Sequence, residues 1–298
     1  METRKTPSGI IGLDTPVKVK IMGNEMEVQS LAACNRKPVM KKISGDTHVN
    51  AETGEVIKVQ RASEYRGQSP SALRKSLAEL RAILITNTQK LKHILLLTLT
   101  FADEQESVRQ GREYFAAFFE LLKSKHVQYG TVHYVCVPEF HADIRRYHLH
   151  VVLFFNQSKQ DVFIPAPEVS ELWGHGDITI SQPRCKEHVY SYLTPHVSHN
   201  ITAKNAKMNE KASRLMQIPA GQKLYTTSRG IPRPQIVRDR FGNVEAQHIQ
   251  KDDFSFEKEL IYPTPLRTET GNTLYHAKQY YTKSPNPAPT TKPPRTPI

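Results

Sequence analysis

Residues 147–155, Tyr-His-Leu-His-Val-Val-Leu-Phe-Phe, constrain this chain more than any other segment. A run so rich in β-branched, aromatic and apolar residues is a strand, and a strand sets side chains i and i+2 on one face. His148 and His150 therefore stand side by side, with Leu149 turned to the opposite face and into the core. Imidazole is the commonest side-chain metal ligand, and two on one face make half a site. Taken alone, the pair reads equally well as two partly exposed strand histidines.

The flanking sequence adds a third group. Gly130 to Glu139 has strand composition, and Phe140 to Arg146 is a polar connection containing Asp143, Arg145 and Arg146. The His-x-His strand then returns, so an antiparallel hairpin is expected, with Glu139 near its mouth and the histidines just beyond the turn. Two histidines and a carboxylate leave coordination positions open for water or a phosphate oxygen. The carboxylate biases such a site toward hard divalent ions, Mg or Mn. By itself Glu139 reads equally well as a solvated acid at a strand end.

A chain of 298 residues has room for one large or two small domains. Its net charge of +12 suggests a polyanionic partner, although basicity alone does not separate nucleic acid from a membrane surface. No apolar run approaches the roughly 18 residues of a membrane span; a run such as Ile94 to Leu97 is a strand's worth. The N-terminal Met-Glu-Thr-Arg-Lys-Thr-Pro lacks the apolar stretch of a signal peptide. Cys34, Cys136 and Cys185 are odd in number and lack Cys-x-x-Cys spacing, which argues against a disulfide framework or a zinc finger and suggests a reducing cytoplasm.

Four segments are expected. Residues 1–88 are a polar, turn-rich extension ending in a helix near 71–87, where Leu73, Leu77, Leu80 and Leu84 follow helical spacing. Arg74, Lys75 and Arg81 lie off that stripe, either as a solvated face or against DNA phosphates. Residues 89–200 carry nearly all the strong strand patterns and form the core. Residues 201–283 are a second polar extension with one structured patch, Leu224 to Pro232, and 284–298 is a proline-rich basic tail expected to be disordered. The core order is a strand (94–101), a helix opened by Asp103 or Ser107, the hairpin, a strand (177–181) and a helix around Lys186 to His196. That order predicts an α+β fold, an antiparallel sheet with helices packed on one face.

These residues resemble the HUH-endonuclease superfamily, specifically the rolling-circle replication initiators of plasmids, phages and integrative elements. Leu97-Thr98-Leu99-Thr100-Phe101 is similar to the first motif, a central strand; His148-Leu149-His150 is the His-hydrophobic-His motif; Ser191-Tyr192-Leu193-Thr194 resembles the start of the catalytic-tyrosine helix. Trp173-Gly174-His175-Gly176 resembles a segment of one bacterial and phage branch, as do Gly45-Asp46-Thr47-His48 and Ser228-Arg229-Gly230-Ile231. The likeness runs over about residues 45–235. It departs in the tyrosine helix, where Pro195 and His196 stand in place of the usual lysine and second tyrosine.

The resemblance implies a single-strand DNA nicking and joining endonuclease. Tyr192 would be the nucleophile, with Tyr190 in reserve, and His148, His150 and Glu139 would hold the divalent ion. Arg74, Arg81, Arg145, Arg146 and Lys186 would contact DNA, with Lys186 or His196 supplying the charge of the missing lysine. The implied partners are single-stranded or hairpin DNA at a replication origin, a host polymerase and a host helicase, because no Gly-x-x-x-x-Gly-Lys-Ser/Thr loop is present. The setting would be a bacterial cytoplasm, with no membrane. A β-barrel metalloenzyme also uses His-x-His, but there a glutamate follows the histidines, whereas Val151 to Phe155 is apolar. A DNA-binding relative without nicking activity, a relaxase and a single-tyrosine transposase complete the alternatives.

Overall fold

The apolar run opening at Ile94 has no polar face, and it lies in a sheet covered on both sides. The computed structural model describes residues 2–31, 40–44, 47–58, 70–88, 90–104, 107–140, 147–193, 222–267 and 273–283. They fall into two compact units: Lys37–Pro234, and Met1–Arg36 together with Gln235–Ile298. In chain order the strands are β1 (Glu2–Arg4), β2 (Pro16–Met22), β3 (Glu25–Ser30), β4 (Met40–Ser44), β5 (Thr47–Asn50), β6 (Val56–Lys58) and β7 (Ile94–Thr100). They continue with β8 (His133–Phe140), β9 (Tyr147–Phe154), β10 (Ile178–Ser181), β11 (Thr226–Thr227), β12 (Gln235–Arg240), β13 (Phe254–Arg267) and β14 (Thr273–Lys283). The helices are α1 (Pro70–Asn87), α2 (Val108–Lys125), α3 (Ala166–Trp173), α4 (Lys186–Leu193) and the single turn α5 (Phe241–Val244).

The central unit is built on an antiparallel sheet in the order β10-β7-β9-β8-β11, with β4-β5-β6 forming a separate antiparallel sheet. Alternate residues of β7 and β9 point to opposite faces, and both sets are apolar. Leu95, Leu97, Leu99, Leu149, Val151 and Leu153 pack with Phe115, Phe118 and Phe119 of α2 and Val169 and Trp173 of α3. Ile94, Leu96, Val152 and Phe154 pack with Leu80, Ile83 and Leu84 of α1 and Val189 and Leu193 of α4. Helices therefore cover both faces, not one. Strands without a polar side need two apolar covers, and the unanticipated α3 supplies part of one of them.

Local chemistry sets the helix ends. Ser107, rather than Asp103, caps α2, its hydroxyl accepting from the backbone N–H of Gln110 at 3.2 Å. At the far end of α1, the Asn87 side chain donates to the carbonyl of Ile83 (2.8 Å) and the Thr88 hydroxyl to that of Leu84 (2.6 Å), which also accepts from the Thr88 backbone N–H at 3.0 Å, so the last turn is held by second donors. The leucine stripe expected on α1 is the face it buries.

The terminal unit is an antiparallel sheet in the order β1-β13-β14-β3-β2-β12. Val17, Val19, Met26, Val28, Ala277 and Tyr281 pack beneath it with Ile11, Phe241, Val244 and Ile249. Segments that read as polar extensions thus supply one of the two units, in which N-terminal strands β1–β3 pair with C-terminal strands β12–β14 in one sheet. α1, expected to close an N-terminal extension, belongs to the central unit, whereas residues 201–221 and 284–298 lie outside the described residues. Among the described residues, no helix is long and apolar enough to cross a membrane.

Candidate metal centre and tyrosine site

The hairpin of β8 and β9 pairs Glu139 directly opposite His148, and Val137 opposite His150. Residues paired across strands, and those two apart along a strand, share a face, so Glu139, His148 and His150 project together. His150 Nε2 lies 2.7 Å and His148 Nε2 3.8 Å from the same oxygen, Glu139 Oε2. The ligand atoms of all three lie within 4.8 Å of one another, the one such group of His, Cys, Asp or Glu among the described residues. Glu139 and His150 are each 8% exposed, whereas His148 is half-buried. A buried carboxylate is costly unless positive charge or donors surround it. Two imidazoles turned on one buried oxygen make a nitrogen-nitrogen-oxygen donor set that fits a divalent ion.

The third element comes from β7, where Thr98 pairs with His150. Val189 and Leu193 anchor α4 on the same face of the sheet, and Tyr192 reaches the site between them. Its hydroxyl lies 2.9 Å from Thr98 Oγ1, which in turn lies 3.4 Å from His150 Nδ1. The rings of Tyr192 and His150 meet edge-on with centroids 5.3 Å apart. Burial pushes the Tyr192 phenol well above its ordinary range; the Thr98 hydrogen bond opposes that, and the charge of Glu139 adds to it. Tyr190 is half-buried and packs against the apolar core on this side of the sheet.

The remaining candidates scatter. Arg74 and Arg81 are exposed on α1, and Lys186 is half-buried at the start of α4. Arg145, Arg146, Pro195, His196 and Cys34 lie outside the described residues. Cys136 is buried, its thiol pushed up to about 12 by that burial, and Cys185 is exposed.

Sequence reasoning missed Thr98 as a site residue. Its signal was present: it is the first polar residue in the apolar run, on the face that β9 gives to the histidines. The Trp-Gly-His-Gly segment acquires a physical role as a clamp on the end of β7. The Trp173 indole N–H donates to the Thr100 carbonyl at 2.9 Å, and the Ala102 N–H donates to the His175 carbonyl at 2.8 Å. The Thr100 N–H also donates to the Asp177 carbonyl at 2.8 Å. Gly176 sits at φ +146°, where a Cβ would lie 2.5 Å from the Thr100 carbonyl oxygen, so only glycine fits without displacing the strand. The Ser-Arg-Gly-Ile segment extends the other edge: the Ser228 hydroxyl accepts from the Tyr134 backbone N–H at 3.1 Å, and Ile231 enters the core.

Residues 94–201 match the family model of replication-associated proteins of the ORF2 and gene-II-protein type. The matched stretch contains Thr98, Glu139, His148, His150 and Tyr192, together with the Trp-Gly-His-Gly clamp. Neither a curated protein nor a solved structure matches the chain.

Proposed function

We propose that this chain initiates rolling-circle replication of a plasmid, phage or integrative element by nicking and rejoining single-stranded DNA through a 5′-phosphotyrosine on Tyr192. The observation that carries the reading is the convergence of a tyrosine hydroxyl, Thr98 and the Glu139–His148–His150 donor set on one face of one sheet. The family match over residues 94–201 supports a role in replication. The net charge of +12 supports a DNA partner, held largely through its phosphates.

Glu139, His148 and His150 would hold the divalent ion. When bound, it supplies positive charge beside a non-bridging phosphate oxygen and offsets the charge that builds there. His150, engaged through Nε2, keeps its proton on Nδ1, facing Thr98 Oγ1. Thr98 then turns its O–H toward Tyr192, so the phenolic oxygen accepts a hydrogen bond while its own proton departs to water. Tyr192 Oη attacks phosphorus; the Oη–P bond forms as the P–O3′ bond breaks, and the leaving 3′ oxygen takes up a proton. The products are a 5′-phosphotyrosine and a free 3′-hydroxyl that a host polymerase can extend. Attack by a 3′-hydroxyl on the phosphotyrosine reverses the exchange, so joining needs no nucleotide cofactor.

The test is incubation of the full chain with end-labelled single-stranded DNA and Mn²⁺, followed by a denaturing gel. A covalent adduct is expected with wild type and with Tyr190→Phe, and none with Tyr192→Phe. Peptide mapping that placed DNA on Tyr190, or wild-type cleavage in excess chelator, would overturn the assignment.

A further inference from the structure

The face of the terminal sheet opposite its core carries a positive cluster that the metal site does not use. Strand register lines up Arg238, Lys18, Gln29 and Lys278 in one row across β12, β2, β3 and β14. The next row runs Lys20, Glu27, Tyr280 and Lys258 across β2, β3, β14 and β13. Their neighbours along each strand, Val19, Val28, Gln279 and Glu259, are buried, which turns both rows to the other face, where they stay half-exposed or exposed. Across four strands at about 4.8 Å spacing the first row is roughly 14 Å wide.

Those two rows hold five cations and one carboxylate, Glu27, which lies 3.3 Å from Lys278 and 3.8 Å from Lys20. Arg238 and Lys18 stand directly opposite each other, a like-charge pairing that destabilises a sheet. The Lys18 ammonium is held below its usual range by burial first, then by Lys20 and Arg238, with Glu27 opposing and Lys278 adding to the depression. A solvated sheet face ordinarily alternates signs across strands; here two carboxylates, Glu27 and Glu257 (3.3 Å from Lys258 Nζ), answer five cations, so positive charge predominates. Flanking the cations lie half-exposed aromatic rings: Tyr280, with Lys258 Nζ 5.5 Å from its centroid, and Tyr262 on the far side of the Lys278 row. Cations that compensate phosphates, alternating with rings on which bases can stack, make up a platform for single-stranded nucleic acid. Duplex offers phosphates but no free base faces.

We propose that this face of the terminal sheet binds single-stranded nucleic acid without sequence preference, through Lys18, Arg238 and Lys278 on phosphates and Tyr280 under a base. This surface and the metal centre share no residue, so each reading can fail alone.

The experiment titrates the full chain against a fluorescein-labelled oligo-dT of about 30 nucleotides, in EDTA, and follows anisotropy across a series of KCl concentrations. Combined Lys18→Gln, Arg238→Gln and Lys278→Gln should weaken binding at least tenfold at about 0.1 M salt. It should also flatten the slope of log K against log salt by about 2, three charges at roughly 0.7 each. Arg238→Gln alone, at an exposed edge position, should flatten it by about 0.7 without touching the core. Tyr280→Leu should weaken binding with the slope unchanged. Unaltered affinity and slope in the triple variant would overturn the proposal, as would tighter binding by wild type to duplex or to phosphatidylserine vesicles than to oligo-dT.

Discussion

Thr98→Val tests the link between the tyrosine and the metal centre with little change in shape. Valine replaces one hydroxyl by a methyl group, removing the atom 2.9 Å from the Tyr192 hydroxyl and 3.4 Å from His150 Nδ1. The stability cost combines a lost hydrogen bond, about 1 kcal/mol net or more where the buried phenol finds no other partner, with an opposing gain of about 0.8 kcal/mol for an added buried methyl. The melting temperature should therefore fall by only a few degrees, about 2–4 °C per kcal/mol for a unit of this size. The catalytic effect is larger. A hydrogen bond to a developing phenolate contributes about 1.5–3 kcal/mol, so single-turnover cleavage should slow between about tenfold and a hundredfold. Because the Thr98 hydrogen bond lowers the Tyr192 pKa, its loss raises that pKa and moves the rising limb of the pH–rate profile to higher pH. Thr98→Ser should restore both rate and profile, and Mn²⁺ affinity should be unchanged throughout. A wild-type rate and an unmoved profile in Thr98→Val would refute the role assigned to this residue.

Three further outcomes are expected. His150→Ala should abolish both cleavage and the Mn²⁺-induced rise in melting temperature while leaving oligonucleotide affinity largely intact, a split visible by thermal shift and anisotropy. Gly176→Ala should cost about 2 kcal/mol or more in urea unfolding, because it strains a φ of +146° and drives a Cβ into the Thr100 carbonyl; a silent substitution would show that the clamp yields. Burial lowers the pKa of His126, His133 and His276, so below about pH 6.5 the unfolded chain binds protons that the native one does not, and stability falls as pH falls. At the other end burial raises Tyr147 to about 12, so the unfolded phenol ionises first and stability drops between about pH 10 and 12. Denaturant midpoints across the pH range check both signs.

What could be read in the sequence was what short-range periodicity encodes. Alternation at His148, Leu149 and His150 set the faces of β9, and the returning strand placed Glu139 near the mouth of the hairpin; that it stands directly opposite His148 is set by the register. The stripe of Leu73, Leu80 and Leu84 marked the buried face of α1. The terminal sheet was overlooked because its composition registers as polar, although Val17 and Val19 alternating with lysines, and Met26 and Val28 with Glu25, Glu27 and Gln29, carry the period-two pattern of half-buried strands. Its pairings also join residues far apart in the chain, such as Gln279 with Val28, and no local pattern carries that information. The one-faced helix cover failed for a related reason: α1, α2 and α4 were legible as helices, but the face each takes is a tertiary contact, α2 on one side and α1 with α4 on the other. Ala166 to Trp173 is also too short for helical periodicity to stand out, so α3 went unnoticed.

The site also explains why residues remote from its chemistry matter. Its parts come from strands whose register alone brings them together: Thr98 against His150, and Glu139 against His148. A slip of one residue in β7 would turn Thr98 into the core beneath α2 and set a leucine beside the imidazole, since each strand position inverts its face. Hydropathy alone does little to resist such a slip in the run Ile94 to Leu97, because both faces accept leucine. Resistance comes from the end of the strand. The Trp173 indole and the Asp177 carbonyl each engage the backbone of Thr100, and the bare backbone of Gly176 lets the chain lie against it. The Trp-Gly-His-Gly segment therefore helps hold the register of β7 two residues from Thr98, and in the proposed reaction it would act on the site without supplying a group to it.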